Sequence, residues 1–134
     1  MRALVAISIF MFSMSVWADT ECVLNGSFKG NADKTLADYM LNNTLSSTDS
    51  KRALTELFSS VTHEWRCSEL RSWHSGYETS WEKITVSQTD SQTVVVSFSK
   101  NRKQPDLKLI FEGGCYKKLV EHKNFYEYFC PVDD

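Results

Sequence analysis

The sequence predicts an α+β fold: two N-terminal helices packed on a five-stranded antiparallel meander sheet, stapled by two disulfides. Three observations lead there. The apolar spacing is three or four residues up to about Trp73 and becomes two from Trp81 onward. The strands of the second half share one apolar face when their hairpin registers are worked out. Four cysteines follow a leader of the type that directs export.

Residues 1–18 read as a cleaved signal peptide. Arg2 gives the positive start, Leu4 to Phe12 the short apolar stretch, and Val16-Trp17-Ala18 a small-residue cleavage pattern ahead of Asp19. The apolar stretch is too short to span a bilayer comfortably, so stable membrane insertion after cleavage is not expected. Residues 19–134 then form a single domain, with no internal repeat, low-complexity tract or long linker. Cleavage removes one of the 15 basic residues and none of the 17 acidic ones, leaving a formal charge of −3. That balance argues against nucleic acid as a partner. It suits periplasmic or secreted life among proteins and small molecules.

Asn31 is a good N-cap for a first helix carrying Leu36, Tyr39, Met40 and Leu41, ended by Asn42 and Asn43. A second helix starts near Ser47 or Thr48, with Asp49 at its positive end. Its stripe is Leu54, Leu57, Phe58, Val61 and Trp65, and the spacing carries it past Cys67 towards Leu70 and Trp73.

Strands follow at about 82–88, 93–99, 106–112, 115–120 and 125–130. A four-residue loop at Asn101–Gln104 places Phe98 opposite Leu107, Val96 opposite Leu109 and Val94 opposite Phe111. A Gly113-Gly114 turn, tolerant of positive φ, places Phe111 opposite Tyr116 and Leu107 opposite Val120. A last loop at Glu121–Asn124 places Val120 opposite Phe125 and Tyr116 opposite Phe129. The apolar face so defined is the one the helices should cover. Lys118 and Glu127 fall opposite each other on that same face, as a cross-strand ion pair or the polar floor of a concavity.

The same register sets Cys115 opposite Cys130, close enough for a disulfide across the closing hairpin. The remaining pair is Cys22–Cys67, which staples the segment ahead of the first helix to the end of the second. No spacing among the four gives the paired C-x-x-C of a zinc site, so no metal or cofactor is expected.

Catalytic motifs are absent. His63-Glu64-Trp65-Arg66-Cys67 starts like H-E-x-x-H but ends on a cysteine, so the two-histidine ligand geometry is missing. Ser97-Phe98-Ser99-Lys100 matches S-x-x-K, yet lies on a strand where that chemistry needs a helix start. A non-enzymatic protein follows.

Three surfaces carry recognition chemistry. Trp73, Tyr77 and Trp81 interleave with Arg71 and His74, and aromatics beside arginine dominate binding hot spots. Tyr126 and Tyr128 enrich the other sheet face, and Arg102 and Lys103 form a basic hairpin tip suited to an acidic partner. The leading expectation is an inhibitor or immunity-type protein that binds one envelope-targeting toxin or hydrolase. The alternative is a small-ligand binder of cystatin-like or NTF2-like architecture, with Lys118, Glu127 and Tyr116 lining a pocket between helices and sheet.

Overall fold

A computed structural model describes residues 22–74, 76–99 and 103–132 of the 134-residue chain. Residues 1–18, expected to be a signal peptide, and Arg102 lie outside the described residues. The chain runs β1 (Asn25–Gly30), α1 (Ala32–Asn42), α2 (Thr48–Ser59), β2 (Thr62–Arg66), β3 (Glu69–His74), β4 (Tyr77–Glu78), β5 (Glu82–Gln88), β6 (Thr93–Phe98), β7 (Leu107–Glu112), β8 (Cys115–Val120), a 3₁₀ turn (Glu121–Lys123) and β9 (Phe125–Pro131). Each long strand pairs antiparallel with its neighbour in sequence, β3 pairs with β5, and β9 returns to pair with β1. The β2–β3 pairing completes the circuit, so eight strands close into an antiparallel barrel while β4 only extends the tip of β3.

This corrects the expected open α+β arrangement. The five strands expected from the second half are present, but three more close them into a barrel. Residues 62–74 are β2 and β3 rather than a continuation of the second helix. Ser59 and Ser60 mark the stop: their hydroxyls bond back to the carbonyls of Thr55 and Leu57 at 2.9 and 2.7 Å. Such back-bonding competes with helix propagation. Beyond it, alternation takes over, with His63 and Trp65 buried and Glu64 and Arg66 facing outward. Cys67 makes the β2–β3 turn at φ 58°, so the Cys22–Cys67 bridge ties the entry to β1 to a hairpin tip rather than to a helix end.

The apolar face read from the strands is real, but it faces the barrel lumen. Phe28, Trp65, Leu70, Ile84, Val94, Val96, Phe98, Leu109, Tyr116 and Phe129 fill it as one cluster. An eight-stranded barrel is just wide enough for side chains to fill. The Gly113–Gly114 turn and the β8–β9 register stand as expected: Phe111 opposes Tyr116, Tyr116 opposes Phe129, and Val120 opposes Phe125. The Cys115–Cys130 bridge forms next to that ladder. The β6–β7 register is shifted by two: Val94 faces Leu109 and Val96 faces Leu107. An even shift keeps every side chain on its face, so the core survives a wrong loop length.

The helices cap one end. Asn31 and Ser47 are the N-caps, accepting from the amides of Lys34 and Ser50 at 2.9 and 3.1 Å. Where β1 leaves β9 at Gly30, α1 takes over its edge: Thr35 and Asp38 accept the Tyr128 and Tyr126 amides at 2.8 and 2.7 Å. Side chains thus supply the bonds a missing strand would have made. Leu36, Phe58 and Phe125 form a second, smaller core there, with Tyr39 and Leu54 packed against it.

Candidate functional site

Between that helical cap and the barrel rim lies a half-open cavity of about 460 Å³. Tyr39 of α1, and Leu54, Leu57 and Phe58 of α2, form its outer wall. Val61, Val120, Phe125 and Phe129 extend the apolar lining onto the barrel. Polar groups gather on the remaining side: His63 from β2, His74 from β3, Lys118 from β8, Glu127 from β9, and His122 and Lys123 from the 3₁₀ turn. All three histidines of the chain therefore reach one cavity, although they lie far apart in sequence.

The floor is a hydrogen-bonded triplet. The Tyr116 hydroxyl, fully buried, lies 2.8 Å from His63 Nδ1 and accepts the Trp65 indole N–H at 3.1 Å. Phe129 stacks on the His63 ring with centroids 4.4 Å apart. Burial lowers the His63 pKa to about 3, helped by the nearby charges of Lys118 and His74. The imidazole is neutral at any ordinary pH. Burial also pushes the Tyr116 hydroxyl well above the usual phenol range, with a smaller push from Glu127 against an opposing pull from the Trp65 hydrogen bond. At neutral pH both groups are held in their uncharged forms.

Lys118 and Glu127 pair directly opposite each other, as the register reading implied, at 3.3 Å and half-buried. They sit at the cavity rather than at a solvent end of the sheet. Tyr116, grouped with them from sequence, lies beneath the cavity and reaches it only through His63. Among the described residues, no three His, Cys, Asp or Glu side chains come together to hold a metal ion. What the arrangement offers is an apolar wall beside fixed polar donors, the usual make-up of a small-molecule site.

The other residues singled out from sequence divide between separate walls. Arg71 bonds Glu64 at 2.6 Å and Glu78 at 2.8 Å, and its guanidinium lies 4.7 Å from both the Trp73 and Trp81 rings. Arg66 covers Trp81 at 4.0 Å. This ladder runs along the outside of β2, β3 and the start of β5, with Tyr77 65% exposed at its tip. His74 leaves this group for the cavity. Tyr126 and Tyr128 lie on the outside of β9, where Lys117 approaches their rings at 4.7 and 5.8 Å. Lys103 is exposed in the β6–β7 loop. No single surface unites them.

The cavity residues that sequence reasoning missed are His63, His122, Lys123 and the helical wall. His63 was legible from one signal, the alternation Thr62-His63-Glu64-Trp65, which the overlapping helical stripe hid. No family model, no curated protein and no solved structure matches the chain.

Proposed function

We propose that this protein is an exported binding protein for a small amphipathic molecule, held at the helical mouth of the barrel. The carrying observation is the half-open cavity of about 460 Å³, walled by α1 and α2 and edged by His63, His74, Lys118 and Glu127. Its size falls inside the roughly 300–1,000 Å³ range of ligand sites, and its apolar wall with few polar groups fits their chemistry. Two disulfides suit an oxidising, non-cytoplasmic compartment, and the leader at 1–18 makes the periplasm or the extracellular space the proposed location. Among the described residues, no helix is long and apolar enough to cross a membrane.

The test is saturable binding of medium-chain amphipaths, measured by calorimetry on the mature protein, with Leu54→Trp as a cavity-filling variant. One-to-one binding that the filled cavity loses supports the reading. Absence of saturable binding, or binding indifferent to Leu54→Trp, overturns it.

A second reading is favoured by the outer wall. The Arg66–Trp81–Arg71–Trp73 ladder alternates guanidinium and aromatic groups beside an exposed tyrosine, which is hot-spot chemistry. On that reading the protein binds one envelope-targeting toxin or hydrolase as an inhibitor or immunity-type protein. Stoichiometric capture of such a protein, lost on Trp81→Ala, supports it.

A further inference from the structure

We infer that the ligand carries a carbonyl-type oxygen, acid or amide, seated at the deep end of the cavity and met by the Nε2–H of His63. The inference rests on the small-ligand reading above and names the chemistry of its ligand.

The argument is proton accounting around the Tyr116 hydroxyl. That oxygen is fully buried and has two partners, Trp65 Nε1 and His63 Nδ1. The indole nitrogen only donates. The hydroxyl proton therefore has one acceptor, His63 Nδ1, and would otherwise be an orphaned buried donor. Nδ1 is thus unprotonated, and a neutral imidazole with bare Nδ1 carries its hydrogen on Nε2. The strongly lowered His63 pKa agrees, since a second ring proton would break the Tyr116 bond.

The two ring nitrogens point in nearly opposite directions, so a ring whose Nδ1 faces the core turns Nε2 towards the cavity it lines. No described side chain or carbonyl accepts from that nitrogen, and no buried side-chain polar atom is left without a partner, so Nε2 is reachable from the cavity. The titratable groups that line the cavity from other elements are Lys118, His74, His122, Lys123 and Glu127, and Lys118 and His74 act on the ring directly. Lys118 is engaged with Glu127, which leaves His63 as a fixed neutral donor, its ring clamped by Phe129. Such a donor prefers an acceptor and rejects a cationic head, which has none to offer.

The experiment combines two-bond proton–nitrogen NMR on histidine-labelled protein with calorimetry of three probes: decanoate, decanamide and decylammonium. The expected spectrum shows His63 as the Nε2–H tautomer in the free protein. Decanoate and decanamide are expected to bind about tenfold or more tightly than decylammonium, the size of one hydrogen bond. The two carbonyl probes separate an anionic head from a neutral one. His63→Asn keeps an acceptor near the Nδ1 position for Tyr116 but withdraws the cavity donor, and is expected to erase most of that preference. An Nδ1–H tautomer, or equal binding of all three probes, overturns the inference while leaving the cavity a binding site. Failure of every probe to bind removes the small-ligand reading and this inference together.

Discussion

Acid should unfold this barrel through His63. The folded protein holds that imidazole at a pKa of about 3, against an ordinary 6.5, because it is buried and faces Lys118 and His74. A basic group whose pKa is lowered on folding binds fewer protons folded than unfolded. Its contribution is therefore undiminished above about pH 6.5 and is lost as the pH falls towards about 3. Over the whole interval the loss amounts to about 5 kcal/mol, at about 1.4 kcal/mol per pH unit. Between about pH 7 and about pH 4 it amounts to about 3 kcal/mol. Against a typical stability of roughly 5–15 kcal/mol, that is a large share from one side chain.

The assay is urea unfolding followed by tryptophan fluorescence, to which buried Trp65 contributes together with Trp73 and Trp81, at both pH values, in the wild type and in His63→Asn. The carboxylates titrate in both proteins and cancel in the comparison. The asparagine also loses the Phe129 stack, which lowers stability at both pH values alike. The expected outcome is a drop that is steeper in the wild type by about 3 kcal/mol. Parallel pH dependence in the two proteins would refute the reasoning, and with it the neutral, buried imidazole.

Two further perturbations test the frame around the cavity. A Cβ on Gly30 would collide with the Phe58 carbonyl oxygen and sit 3.1 Å from its carbon, so Gly30→Ala should cost about 1–3 kcal/mol in denaturant unfolding and loosen the α2 wall. The disulfides close loops of different length, 45 residues for Cys22–Cys67 and 15 for Cys115–Cys130. Replacing each pair by alanine should lower stability by about 4 and about 3 kcal/mol respectively, ranked by the shift in denaturation midpoint.

Hairpins were legible in the sequence because their evidence is local. Phe111, Tyr116 and Phe129 alternate with polar residues around glycine or short loops, so both pairings and the Cys115–Cys130 bridge follow from counting. Lys118 facing Glu127 came from the same count. The β6–β7 loop lacks a tight-turn signal, and there the count slipped by two. His63 escaped because Leu57, Phe58, Val61 and Trp65 sit at helical spacing even though the helix stops at Ser59. Two periods fit the same residues, and only tertiary pairing with Phe28 and Ser72 decides between them.

Closure was the part without a local signal, yet an edge argument points to it. A five-stranded meander leaves β5 and β9 as long unpaired edges, the second of them rich in aromatic residues, and such edges need cover. The expected helices are poor cover. Met40, Leu41 and Leu57 remain exposed even after packing, and the apolar contribution of α1 and α2 centres on Leu36 and Phe58. Strands β5 to β9 alone send seven apolar side chains into the lumen, from Ile84 to Phe129, and none of them belongs to the smaller cluster that the helices bury. The chain resolves the mismatch by spending Asn25–Gly30 on the β9 edge and Glu69–His74 on the β5 edge. The helices are thereby released from covering the sheet, and their inner faces are free to wall a cavity at one end. The cavity exists because strands, not helices, complete the core.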